Sequence, residues 1–317
     1  MILSAAVLIG WSMFAFNYSN SPNEGLKPPV AARIHAAPIS EVSGMVKSRS
    51  YPDTFWVIND SGDEARIFAI NRQGENIIPT FSRFSFYGEN EEEGKKQWQG
   101  FRVLYAENID WESMTSDENF IYVADTGNNF NNRRDLGIYA LSEIDPTAST
   151  QSAAIKHMPV AYPEQTEYPG DSERHYDSEA LFYADGKLYL ITKHRNKRGF
   201  SMEHGANLYR LDTAYTDQTN LLTLIDSNSD MLAVTGAELS PDGQTLAVIS
   251  YEALWLFERP ETGDKWLSSS FQRFWLDGDV LDQVETVVWD GDNIIMLSNE
   301  QRDLFRLDLL ELTSEYK

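Results

Sequence analysis

One short pattern recurs five times along this chain, and it limits what the chain can fold into. Each copy opens with two small or acidic residues and, in most copies, an apolar one. The copies are Ser43-Gly44-Met45, Glu112-Ser113-Met114, Glu179-Ala180-Leu181, Gly236-Ala237-Glu238 and Glu285-Thr286-Val287. The fourth is the loosest, because Glu238 takes the apolar place. A second apolar run, a polar loop and a third run with an aromatic residue follow each start. The third runs are RIFAINR (66–72), GIYALSE (137–143), NLYRLDT (207–213), ALWLFER (253–259) and DLFRLDL (303–309). Matching positions are 69, 67, 57 and 49 residues apart, the differences falling in insertions such as 88–97 and 163–176.

Within each copy the apolar signal has period two. Runs such as FWVIN (55–59), FIYVA (120–124) and KLYLIT (187–192) are short, β-branched or aromatic, and bounded by turn residues. Asp185-Gly186, Asp242-Gly243 and Asp290-Gly291 read as hairpin turns. No amphipathic helix longer than two turns is visible. Each copy therefore predicts a four-stranded blade that cannot bury both faces alone, and stacking blades about an axis solves that problem. The expected fold is all-β: a five-bladed β-propeller over residues 30–317. The fifth copy has room for only three strands, so residues 30–38 are expected to supply the fourth and close the ring. A β-sandwich is the alternative, but it does not explain the fivefold motif.

Composition narrows the function. The 317 residues include no cysteine, which excludes disulfides and Cys-ligated zinc or iron–sulfur sites. With 26 basic and 49 acidic residues the net charge is −23, which argues against nucleic-acid binding, since that needs a basic stripe. Residues 1–16 carry no charge. They are shorter than the roughly 20 residues of a comfortable bilayer span. They suit a signal peptide or a short signal-anchor, followed by an Asn/Ser/Pro-rich linker at 17–29. The expected location is the periplasm or cell envelope, with a membrane tether through the N-terminus if the segment is retained.

In a propeller blade the first strand lies nearest the axis, and its start opens on the same face as the loop between strands two and three. The starts contribute Glu112, Glu179 and Glu285, with small Ser43-Gly44 and Thr235-Gly236 in the other two blades. The loops contribute Asn59, Asp60 and Asp63; Asp125, Asn128 and Asn129; Lys193, His194 and Arg195; Tyr251 and Glu252; and Asn299 and Glu300. Three carboxylates around a narrow axis repel strongly, so either their pKa values rise or a cation sits among them. Oxygen ligands without cysteine favour a hard ion, and Ca²⁺ fits better than Mg²⁺ or zinc. Ser43 and Gly236 would let backbone oxygens approach that ion. The alternative is that the glutamates bond neighbouring blade backbones around a water-filled channel. DSGD (60–63) and DTGNN (125–129) are also what tight turns demand. What raises their functional weight is that both fall on the same loop of the repeat.

From Lys187 to Arg210 six basic residues face a single acid, Glu203. Lys193, His194 and Arg195 on this stretch are expected at the mouth, where they would hold a small anionic ligand, unless the loop is merely solvated. His194 is the general-base candidate. Nucleophile-elbow, zincin, P-loop and dinucleotide motifs are absent.

The ordered starts EVSGM (41–45), DWESM (110–114), DSEAL (177–181), VTGAEL (234–239) and VETVV (284–288) resemble those of the SdiA-regulated family. That resemblance covers roughly residues 39–309 as short motifs. It implies a calcium-binding β-propeller of the bacterial cell envelope. A looser similarity to five-bladed calcium-activated nucleotidases and to phytase- or lactonase-like propellers implies phosphoester or lactone substrates. Three functions are thus in view. One is a calcium-binding module that binds or senses a ligand, one a calcium-dependent hydrolase, and one a platform for a protein partner.

Overall fold

The computed structural model describes residues 25–35, 38–82, 98–169, 174–196 and 201–315. The uncharged segment 1–16, the first part of the linker and the acidic insertion at 88–97 lie outside the described residues.

A lone strand, β1 (Val30–Arg33), comes first. Blade 1 holds β2 (Val42–Lys47), β3 (Phe55–Asn59), β4 (Arg66–Ile70) and β5 (Phe101–Leu104). Blade 2 holds β6 (Trp111–Ser116), β7 (Ile121–Asp125), β8 (Gly137–Leu141) and β9 (Gln151–Ala161). Blade 3 holds β10 (Arg174–Ala184), β11 (Lys187–Arg195), β12 (His204–Leu211) and, after the short β13 (Asn220–Leu221), β14 (Thr223–Leu232). Blade 4 holds β15 (Val234–Leu239), β16 (Thr245–Ser250), β17 (Ala253–Glu258) and β18 (Phe271–Trp275). Blade 5 holds β19 (Val284–Trp289), β20 (Ile294–Asn299) and β21 (Asp303–Asp308). The first strands β2, β6, β10, β15 and β19 touch one another in that order, and β19 returns to β2. The chain is therefore a five-bladed β-propeller, as the repeat predicts.

The ring closes as expected. β1 pairs antiparallel with β21, Ala32 opposite Leu304 and Arg33 opposite Asp303. The outermost blade-5 strand thus comes from the other end of the chain. Two outer strands, β5 of blade 1 and β9 of blade 2, also pair in parallel, which joins those blades into one sheet.

Period two in the sequence becomes burial on both faces. In β16, Leu246 and Val248 pack into the apolar layer shared with blade 3, while Ala247 and Ile249 pack into the layer shared with blade 5. The described residues form five such apolar clusters, one at each blade–blade interface. This explains why the strands read as near-continuous apolar runs. The β10–β11 hairpin turns through Asp185 and Gly186, both at positive φ, the backbone that an Asp-Gly pair favours. Two short α-helices, α1 (Gly278–Leu281) and α2 (Leu309–Glu315), and two single 3₁₀ turns, Thr80–Ser82 and Trp266–Ser268, complete the described structure. No helix among the described residues is long and apolar enough to cross a membrane.

Candidate metal centre

All five axial strands carry a bulge at the same place. Val42 pairs with Asn59 and Gly44 with Ile58, so Ser43 has no partner across the sheet. The unpaired residue is Glu112 in β6, Glu179 in β10, Thr235 in β15 and Glu285 in β19. A bulge kinks the strand and re-aims one side chain. Here it delivers one side chain per blade to the same level of the axis. The fourth start is offset by one from the sequence alignment. Thr235, not Gly236, takes the equivalent place, and Gly236 pairs with Ile249 in the regular sheet. The two non-acidic residues tie blades together. Ser43 Oγ donates to Trp111 O at 2.7 Å, and Thr235 Oγ1 donates to Val284 O at 2.6 Å.

The residue two places before each bulge lies on the same mouth. In blades 1, 2 and 3 it is acidic: burial and the Asp60 charge raise Glu41, and the pairs Asp110/Glu112 and Asp177/Glu179 join Asp60 from the blade-1 loop. The carboxylates fall into two triads that share Glu112: Asp60, Asp110 and Glu112 outside, and Glu112, Asp177 and Glu179 inside. Within each triad the ligand oxygens lie within 4.8 Å of one another. Two unit charges that far apart repel by about 3–4 kcal/mol at an effective dielectric near 20. Gly127 presses its backbone against the outer triad: a β-carbon there would lie 2.2 Å from Glu112 Oε1 and 2.4 Å from Asp110 Oδ2.

Electrostatics separates the triads. The inner one is compensated. Lys193 Nζ donates to Glu179 Oε2, with both side chains almost fully buried, and Arg195 Nε is 3.3 Å from Asp177 Oδ2. No ion pair to Asp60, Asp110 or Glu112 occurs among the described residues. Burial, then the charges of Asp60 and Asp177, push Asp110 up to about 7. Burial and the neighbouring Asp60 and Glu179 hold Glu112 well above the usual carboxylate range. Burial also raises Asp60. Glu179 is pushed up to about 7 by burial, against the opposing pull of Lys193.

Glu285, the third axial glutamate, belongs to a different group. Its Oε1 accepts from Tyr251 Oη at 3.1 Å, and Gln283 links that hydroxyl to Glu300 through bonds of 3.2 and 2.8 Å. Lys193 stands between the two halves, paired with Glu179 and 5.2 Å from the centre of the Tyr251 ring. The three glutamates therefore do not form one symmetric ring. Burial raises Glu285 well above its ordinary value, and burial with nearby Asp60 brings Glu300 to about 7.

The remaining sequence candidates divide. Asp125 is buried behind the cluster, its Oδ1 2.9 Å from Arg133 Nη2 and accepting the Asp110 N–H at 3.0 Å. Asn129 accepts from Arg195, and the Asn128 N–H donates to Asp177 Oδ1 at 2.7 Å, so the DTGNN loop braces the inner triad. Asp63 bonds Asn59 and Arg66 within its own loop. His194 lies apart from the carboxylates. It stacks on His175 at 3.9 Å and meets the Thr192 hydroxyl, and burial lowers it to about 3, so it is neutral at pH 7. Glu252 is half-buried beside His204 and Arg273. The basic stretch does not form one patch. Lys187 and Arg210 pair with Asp212 at the other end of blade 3, and Lys197 and Arg198 lie outside the described residues.

Glu41, Asp110 and Asp177 are the residues that sequence reasoning missed. For the two aspartates the signal is the Asp-x-Glu spacing inside DWESM and DSEAL, which the sheet's alternation would place on one side.

No protein-family model and no curated protein matches the chain. Several solved structures align along most of it at low identity. The PQQ-bound aldose sugar dehydrogenase of Streptomyces coelicolor is 12% identical with a TM-score of 0.47, covering 90% of this chain and 99% of that one. Myxococcus xanthus glutaminyl cyclase is 10% identical with a TM-score of 0.43, covering 88% and 94%. A glucose dehydrogenase is 12% identical with a TM-score of 0.42, covering 88% and 99%. Likeness at this level carries no activity over to this chain.

Proposed function

We propose that this propeller binds calcium at the outer triad of Asp60, Asp110 and Glu112, and that the bound ion presents an open position to a small anionic ligand at the mouth. The observation that carries this reading is the imbalance between the triads. The inner pair Asp177 and Glu179 is held in direct ion pairs by Arg195 and Lys193, whereas among the described residues no ion pair reaches the outer triad, and Lys193 and Arg133 act on Asp60 and Asp110 only at longer range. Uncompensated carboxylates held this close either stay protonated or gather a cation. The donors are oxygen throughout, and the Gly127 backbone fits against them where any β-carbon would intrude. Several carboxylates from different loops suit the flexible six- to eight-fold coordination of Ca²⁺ better than the strict octahedron of Mg²⁺.

The ion would tie loops of blades 1 and 2 together and stabilise the folded ring by linkage. Asp60 and Asp110 are only partly buried, unlike Glu112, which supports an ion reachable from solvent. Lys193 and Arg195 are engaged with Glu179 and Asp177, so the attraction for an anion would come from the ion itself. The order of the motif starts supports placing the chain with the SdiA-regulated family, and the uncharged N-terminal segment supports a periplasmic or envelope location. The leading role is a binding or sensory module. The second reading, a calcium-dependent hydrolase of phosphoesters or lactones, draws on the same solvent-facing side of the triad, where a metal-activated water would meet substrate.

A screen of phosphomonoesters, nucleotides, phytate and lactones, with calcium and with chelator, separates the two. Saturable binding without turnover supports the module. Calcium-dependent turnover that is lost in Asp110→Asn supports the hydrolase.

A further inference from the structure

The opposite mouth of the channel holds a cavity of about 480 Å³. The last residue of every axial strand reaches it: Lys47, Ser116, Ala184, Leu239 and Trp289. Its volume falls within the roughly 300–1,000 Å³ of small-molecule sites. We propose that this cavity binds a neutral polyhydroxylated molecule of the saccharide class, independently of the carboxylate mouth.

Its charges come in both signs and nearly cancel. Lys47, Arg49 and Arg259 line it together with Glu118, Asp185, Asp242 and Glu238. Glu238 accepts the Trp289 backbone N–H, and burial raises it to about 8, so it is neutral at pH 7. A field balanced in this way offers no net pull on an anion or a cation. It does offer strong donors and acceptors side by side. Arg49 gives Nε and Nη2 to Ser116, while its Nη1 stands 3.9 Å from Glu118, beyond hydrogen-bond range, so that edge of the guanidinium is available. Among the described residues, Asp185 and Asp242 each engage one carboxylate oxygen, with Arg259 and with Ser240 and Gln244 respectively. Neighbouring hydroxyls of a sugar both donate and accept, which matches an arginine edge beside a carboxylate oxygen. Tyr183, whose ring lies nearly parallel to that of Tyr122, lines the same cavity and adds apolar surface beside these polar groups.

The test is calorimetry and saturation-transfer NMR with glucose, galactose, maltose and cellobiose, using gluconate and glucosamine as charged controls. At least one neutral sugar is expected to bind in the millimolar range or tighter. Arg49→Ala and Asp185→Asn should each weaken it about tenfold, the size of losing a hydrogen bond to a charged group. Tyr183→Phe, which keeps the ring, should bind nearly as well as the parent, and Asp110→Asn at the other mouth should change nothing. Melting curves confirm that each variant is folded. Absence of binding by all four neutral sugars overturns the proposal. So does tighter binding of a charged control, or loss of sugar binding in Asp110→Asn with Arg49→Ala unaffected.

Discussion

The Gly127 backbone approaches Glu112 so closely that a β-carbon at residue 127 would lie 2.2 Å from the Glu112 carboxylate. The second-to-third loop of blade 2 is thus fitted against the bulged residue of its own axial strand. Gly127→Ala must push Glu112 or Asp110 aside. We expect a loss of about 1–3 kcal/mol, the usual cost of overpacking. The stabilisation by calcium should shrink with it. Thermal melts with calcium and with chelator measure both, and an unchanged calcium-induced shift would count against the outer triad as the ion site.

Lys193 neutralises Glu179 at the axis, and both are nearly buried. Removing one partner of a buried pair costs about 3–5 kcal/mol, because a charge is left unpaired. Lys193→Met should therefore be strongly destabilised in chemical denaturation. The double variant Lys193→Met/Glu179→Gln should recover much of the loss. A double variant no better than the single one would show that packing, not charge, is what Lys193 provides.

The fivefold layout was legible because every blade repeats the same alternation, and the third runs at 66–72 and 303–309 fall on β4 and β21 as expected. Residues 30–38 could be assigned to closure because the fifth copy lacked a strand, and the strand found there is Val30–Arg33. What alternation cannot display is a bulge. One extra residue moves the side chain that reaches the axis, which is why Thr235 rather than Gly236 occupies the fourth position. The same effect hid Asp110 and Asp177, whose role depends on lying two residues before that bulge. His194 sits between Lys193 and Arg195 in sequence, yet its ring packs against His175 rather than among the carboxylates.

The apo protein should lose stability as pH rises. Asp110, Glu179 and Glu300 are raised to about 7, so the folded state holds protons that the unfolded state has released. Their contribution is complete only below the ordinary carboxylate values, about pH 4, and is lost as pH rises through 7. Calcium should remove the part of this slope that comes from Asp110 by favouring the ionised outer triad. Glu238, raised to about 8 at the other mouth, should leave a residual slope that Glu238→Gln abolishes. Denaturation midpoints from pH 5 to 9, with and without calcium, measure each part. Apo stability that rises with pH would contradict the assignment.

Closure of the ring rests on β1 against β21. A chain beginning at residue 25 should melt close to the full-length protein. One beginning at residue 35 leaves the edge of blade 5 unpaired and should melt markedly lower or aggregate. Equal melting of the two truncations would show that the seam contributes little.

The central claim is a cation among Asp60, Asp110 and Glu112. Calorimetric titration of chelator-treated protein with calcium tests it most directly, with Asp110→Asn and Glu252→Gln run alongside. The account predicts saturable binding at one site. Affinity should fall at least about tenfold in Asp110→Asn, as expected when a charged ligand is lost, and stay unchanged in Glu252→Gln. No binding heat and no calcium-induced rise in melting temperature, or equal affinity in Asp110→Asn and the parent, would contradict it.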